Sequence, residues 1–154
     1  MTPMQRALNE ARKAAECGEV PVGAVVTDGA GAVLATASNA VEARHDATAH
    51  AELLALRAAA ARRGEKYLVD CTLTVTLEPC PLCAAAIALF RIKRLVFGAY
   101  DPKSGGVEHG PRVFDHATCH HRPEVIGGVD ERESAAILRD FFENRRDPAN
   151  SAGR

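Results

Sequence analysis

Apolar and polar positions alternate along the chain in blocks whose period changes from element to element. Thr2-Pro3-Met4-Gln5 reads as a capping box with proline at the first helical position, and the alanine-rich turns behind it predict a helix over 2–16 that stops near Gly18. VGAVVTD (22–28) and AVLATAS (32–38) flank Gly29-Ala30-Gly31, the pattern of a hairpin whose turn needs positive φ. A polar loop over 39–47 follows. Leu53, Leu54 and Leu56 among a run of alanines then give a helical apolar face over 48–63. CTLTVTL (71–77) reads as a buried strand, Pro79 and Pro81 bracket the start of a helix over 81–91, and RLVFGA (94–99) is a further strand. Strand, helix and strand with short links predict a parallel crossover unit.

Residues 101–123 carry glycine, proline and histidine without a period, which marks a long loop of the kind that often bears function. EVIGG (124–128) predicts a short edge strand. The last helix, over 130–146, places Ile137, Leu138, Phe141 and Phe142 on one face, and 147–154 reads as a frayed tail. The sum is an α/β protein: three layers, α/β/α, around a mixed central sheet of about five strands, in one domain over 1–146.

Composition narrows the class. The chain has 154 residues, 47% of them hydrophobic and 25% charged, which is globular and of single-domain size. No apolar run reaches the length of about 20 residues that a membrane span needs, and the charged N-terminus does not resemble a secretion signal, so a cytoplasmic protein is expected. A net charge of −1 argues against generic polyanion binding but leaves room for a local basic patch. Five cysteines without an export signal argue against a disulfide framework. Cys17, Cys71 and Cys119 stand alone. Cys80 and Cys83 form a C-x-x-C, either half a metal site or a redox pair.

His50-Ala51-Glu52 and Pro79-Cys80-Pro81-Leu82-Cys83 each sit where a helix is expected to start. One histidine and two cysteines make three zinc ligands, one short of a closed tetrahedron, and catalytic zinc sites are the ones that keep a position for water. Helix N-termini favour thiolate over thiol, so two such termini meeting at a metal would keep the cysteines ionised. Glu52 need not be a ligand; its carboxylate suits a proton shuttle. Each signal alone has a plainer explanation, such as a redox C-x-x-C or a histidine that caps a helix. A fourth ligand from His45, Cys71, Cys119, His120 or His121 would make the site structural. Together, with His50 preceding Cys80 by 30 positions, they favour a catalytic metal.

These two segments resemble the signature of the zinc-dependent nucleobase deaminases. The segment 19–25 (EVPVGAV), Asn39, HDATAHAE (45–52), LEPC (77–80), RIKRLVFGAYDPKSG (91–105) and FFENRR (141–146) are similar to the bacterial tRNA-specific adenosine deaminases, over about residues 4–146. The resemblance implies a cytidine deaminase-like fold, a homodimer, one Zn²⁺ per chain, and conversion of the wobble adenosine of a tRNA anticodon to inosine by hydrolysis. It implies His50, Cys80 and Cys83 as ligands and Glu52 as proton shuttle. It implies Asn39, Val22 and Ala51 at the substrate base, and Lys103, Arg145 and Arg146 toward the tRNA anticodon stem-loop. Arg91, Lys93 and Arg94 read as a solvated charged surface. Gly106-Val107-Glu108-His109-Gly110-Pro111-Arg112 and Cys119-His120-His121 depart from the pattern and bear on anticodon-loop contacts and the dimer surface.

Two other functions compete. A deaminase of free bases such as guanine or cytosine would use the same metal site behind a sealed pocket. A zinc-stabilised interaction module would need a fourth protein ligand and would have no use for Glu52.

Overall fold

The computed structural model describes residues 1–146, the side chain of Arg146 excepted. The elements run α1 (Pro3–Glu16), β1 (Gly23–Thr27), β2 (Val33–Ser38), α2 (Val41–Arg44), α3 (Ala51–Arg63), β3 (Thr72–Leu77), α4 (Pro81–Leu89), β4 (Arg94–Ala99), β5 (Glu124–Ile126) and α5 (Glu131–Arg146), with a 3-10 turn at Val113–Asp115. The sheet has five strands in the order β2-β1-β3-β4-β5. β1 is antiparallel to both β2 and β3, while β3, β4 and β5 run parallel, so the crossover from β3 through α4 to β4 is the expected one.

Alternation along β1 separates two cores. Ala24 and Val26 face a large cluster built with Leu56 and Ala59 of α3 and Ala84 and Ile87 of α4. Val25 faces the other way, onto Met4, Ala7 and Leu8 of α1, with Ile137 of α5 beside them. Helices therefore cover both faces, as the period-2 strands and period-3.6 helices require. Thr2 closes α1 with the capping box expected from its sequence: its Oγ1 accepts from Gln5 N at 3.1 Å and Gln5 Oε1 accepts from Thr2 N at 2.7 Å.

Several boundaries differ from the sequence-based expectation. α3 begins at Ala51 and not at residue 48, because Asp46 Oδ1 accepts from both the backbone N–H and the hydroxyl of Thr48, at 2.8 and 2.7 Å. That turn holds 46–49 out of the helix and leaves His50 as its N-cap. The loop over 39–47 contains the single-turn helix α2, and α4 ends at Leu89 with Arg91 in the left-handed region at φ 62°. Residues 147–154, expected as a tail, lie outside the described residues. Among the described residues no helix is long and apolar enough to cross a membrane.

The C-terminal end of β3 and the start of β1 meet at one end of the central strands, close to the N-termini of α3 and α4. Ligands of α/β proteins bind outside the carboxyl ends of parallel strands, and this end is such a place.

Candidate metal centre and its cavity

His50 is the N-cap of α3 and Cys80 the N-cap of α4, and neither side chain makes a capping hydrogen bond. They turn toward each other instead. His50 Nδ1 lies 3.5 Å from Cys80 Sγ and 3.4 Å from Cys83 Sγ. A zinc tetrahedron, with Zn–S of about 2.3 Å and Zn–N of about 2.0–2.1 Å, separates nitrogen from sulfur by about 3.5 Å. The donor set and its spacing therefore fit zinc. Among the described residues these three form the one such ligand group. The residues considered for a fourth ligand are engaged elsewhere or stand apart. Cys71 is buried beside Asp70 and Arg63, the Cys119 thiol donates to the His121 carbonyl, and His121 Nε2 is bonded to the Ile92 carbonyl. His45 and His120 stand apart from the group, which among the described residues comprises His50, Cys80 and Cys83.

The electrostatics favour an ionised Cys80. The hydrogen bond from the Cys83 thiol, helped by His50 and opposed by burial, holds Cys80 down to about 4. Its bond to Cys80, with burial, pushes the Cys83 thiol up. The same thiolate raises His50 above its usual range. Glu52 is buried and opens onto the cavity beside the ligands; burial pushes its carboxyl up to about 7. A carboxyl with a pKa near neutrality is suited to taking and returning protons at working pH.

A cavity of about 270 Å³ lies over this group, lined by Val22, Asn39, His50, Glu52, Cys80 and Ser104, with Glu19, Val41, Glu42 and Asp101 at its rims. That is just below the roughly 300 Å³ at which pockets for drug-sized ligands start, and it suits a single base-sized group. Asn39 Oδ1 accepts from Ala51 N at 2.8 Å, which leaves its Nδ2 without a partner among the described residues. Ala51 itself is fully buried and donates its N–H to Asn39, so it stands behind the cavity wall. Arg145 reaches the cavity from α5, donates to the Gly18 carbonyl and stacks its guanidinium 4.3 Å from the Phe141 ring. Lys103 is exposed on the loop after β4 and is not a cavity residue. The side chain of Arg146 lies outside the described residues.

Two residues that the sequence did not single out shape the rims. Glu19, 3% exposed, accepts from Glu42 N and Ala43 N, both at 2.9 Å, and so anchors α2. Glu78 is likewise buried and accepts from the backbone of Asp101, Val107, Glu108 and His109. Burial raises its carboxyl, but these bonds and the His109 ring outweigh it and hold Glu78 below the usual carboxylate range. The only sequence signal for either was its place inside a segment that carries the family resemblance, EVPVGAV (19–25) for Glu19 and LEPC (77–80) for Glu78.

Residues 2–99 match the cytidine and deoxycytidylate deaminase zinc-binding region. The tRNA-specific adenosine deaminase of Agrobacterium fabrum is 51% identical over 144 residues, covering 93% of each chain. A solved structure from a study of A-to-I editing by tRNA:A34 deaminases at the wobble position of transfer RNA is 50% identical. It superposes with a TM-score of 0.87 over 88% of this chain and 98% of that one. A guanine deaminase structure from Nitrosomonas europaea, 22% identical, covers 92% of this chain and 83% of its own with a TM-score of 0.79, a likeness of fold alone.

Proposed function

The chain belongs to the tRNA-specific adenosine deaminases, within the cytidine and deoxycytidylate deaminase zinc-binding family, and from that membership we propose that it hydrolyses the wobble adenosine of a tRNA anticodon to inosine. The observation that carries the chemistry is that the His50, Cys80 and Cys83 group and the buried Glu52 open onto one cavity of base size.

His50, Cys80 and Cys83 would hold one zinc per chain. Zinc held there supplies the acidity that makes water a nucleophile near neutral pH. The remaining work falls to the chain. The target adenosine leaves the anticodon loop and enters the cavity, where unstacking costs least because the base already lies in a loop. Asn39, fixed through Ala51, offers Nδ2 to the base, and Val22 packs against it. Glu52 takes a proton from water and gives it to N1 while the C6–O bond forms. It then takes the proton of the new C6 hydroxyl and passes it to the amino group, the C6–N bond breaks, and ammonia and inosine result.

Lys103 and the arginines that end α5 supply cations for phosphate contact. Leu82 and Leu89 leave an apolar surface exposed on α4, which supports a homodimer. A tRNA substrate supports a cytoplasmic site of action. The domain of catalysis is residues 1–146.

The test is to incubate the purified protein with bulk tRNA, and in parallel with free adenine, adenosine, guanine and cytosine, and to assay inosine and ammonia. Inosine at the wobble position of tRNA is the expected result. Turnover of a free base with none on tRNA would overturn the reading.

A further inference from the structure

Glu78 stands two residues before Cys80, at the point where β3 leaves the sheet, and its side chain is fully buried. Its carboxylate is ringed by five hydrogen bonds from one loop. Oε1 accepts from Asp101 N at 3.0 Å and from the His109 ring at 2.8 Å. Oε2 accepts from Val107 N at 3.2 Å and from Glu108 N and His109 N at 3.0 Å each. Because a carboxylate only accepts, His109 Nδ1 must carry the proton. Charge-assisted bonds of this kind are about twice as strong as neutral ones.

The loop is drawn tight onto the metal turn as a result. Gly106 N donates to the Pro79 carbonyl at 2.8 Å, and a Cβ at Gly106 would lie 2.6 Å from Pro81 N. A Cβ at Gly105 would collide with the Glu78 carboxylate. From the same loop, Asp101 and Ser104 form one rim of the cavity, and Asp101 Oδ1 in turn accepts from Lys103 N and Ser104 N at 3.2 and 3.0 Å.

We propose that Glu78 is a positioning residue for RNA substrate: its buried carboxylate, with His109, fixes the 101–109 loop as the substrate-side rim over the metal turn. This rests on the reading that the cavity takes a base from an RNA loop. Glu78 stands in the cavity wall, but both its carboxylate oxygens are taken up by these five bonds, so it acts through the backbone it holds. An amide cannot replace it. Whichever way the new side chain of Glu78→Gln were turned, its NH₂ would face backbone N–H donors and leave at least one of them unpaired.

The experiment compares wild type, Glu78→Gln and His109→Ala by zinc content, by hydrogen exchange of the free protein, and by kcat and KM on an anticodon stem-loop. In Glu78→Gln the amides of 107–109 should exchange at least about tenfold faster, with zinc retained. Misplacing a positioning group by an ångström can cost about 100-fold, so kcat/KM should fall by about 10–100-fold, chiefly through KM. A purely structural role would lower the active fraction and kcat and leave KM unchanged. His109→Ala removes one of the five bonds from a partly exposed side chain, so it should fold and shift exchange and KM in the same direction by less. KM within twofold of wild type in both variants, unchanged exchange at 107–109, or loss of zinc in Glu78→Gln would each overturn the proposal. If Glu78→Gln does not fold, His109→Ala decides alone. Failure of the wild type on the stem-loop would instead bring down the RNA reading, while the exchange and zinc measurements, made without substrate, would still judge the loop.

Discussion

His50 Nδ1 lies 3.5 Å from Cys80 Sγ, and the two residues are the N-caps of different helices. Neither histidine nor cysteine is a favoured N-cap, and neither satisfies an orphan N–H of its own helix here. Both helix ends give up local stability so that the two side chains can face a common point. Local rules are broken at functional sites in this way.

The cost of that arrangement is measurable. Cys83→Ser should lose the expected one zinc per chain, since a hydroxyl is a poor substitute for a thiolate. His50→Ser should also lose zinc, yet in metal-stripped protein it should raise stability by about 0.5–1 kcal/mol, because serine caps α3 where histidine does not. Elemental analysis with denaturation of the stripped proteins checks both. Full zinc in either variant would sink the ligand assignment.

Glu52→Gln separates shuttle from ligand. Zinc should remain, while turnover falls by at least the 10²–10⁴-fold typical of a general acid–base group. The buried carboxyl adds a pH signature in metal-stripped protein. Its folded value of about 7 lies above the ordinary 4.5, so its stabilisation is complete below pH 4.5 and is lost as pH rises through 7. Melting temperatures at pH 5 and pH 8 should therefore differ less in Glu52→Gln than in wild type. Equal differences would refute the buried-carboxyl account.

Asn39 has two jobs, and substitution should show both. Asn39→Ala removes the acceptor of Ala51 N, which costs about 1–3 kcal/mol if that N–H stays buried and unpaired. It also removes the group offered to the base. Turnover of a stem-loop should fall while zinc content and the salt dependence of binding stay as in wild type. A variant that melts lower but deaminates at the wild-type rate would reduce Asn39 to a structural role.

The clustering of His50, Cys80 and Cys83 was legible in the sequence because they lie in two short motifs whose residue types admit few other uses. The crossover from β3 to β4 was legible because its links are short and its periods clean. Glu19 and Glu78 were not. Each is a single acidic residue beside a strand, and its meaning lies in backbone N–H groups that arrive from 42–43 or 101–109, far along the chain. The start of α3 was misplaced for a related reason, since propensity continues back to 48 and only the Asp46 turn interrupts it. The loop over 101–123 was legible as a loop, but the hold of Glu78 on its 101–109 part was not, since that carboxylate comes from the end of β3.

The basic residues assigned to RNA contact should divide into two kinds. Lys103 is exposed, and among the described residues its side chain has no hydrogen bond or ion pair, so it is free to meet a phosphate. Lys103→Ala should weaken binding of an anticodon stem-loop and make the slope of log K against log salt shallower by roughly 0.7–0.9, the effect of one lost phosphate contact. Arg145 is already committed to the Gly18 carbonyl and the Phe141 ring, at the edge of the cavity. Arg145→Ala should therefore lower stability as well, through the orphaned carbonyl and the lost stacking, and it should reduce turnover by more than its change in salt slope accounts for. Binding and deamination across a salt series, with a melting curve for each variant, distinguish the two. If Lys103→Ala left the salt slope unchanged, the 101–109 loop would not carry a phosphate contact through this residue. If Arg145→Ala changed the slope by a full unit with no loss of stability, its guanidinium would be serving the RNA and not the packing of α5 against Gly18.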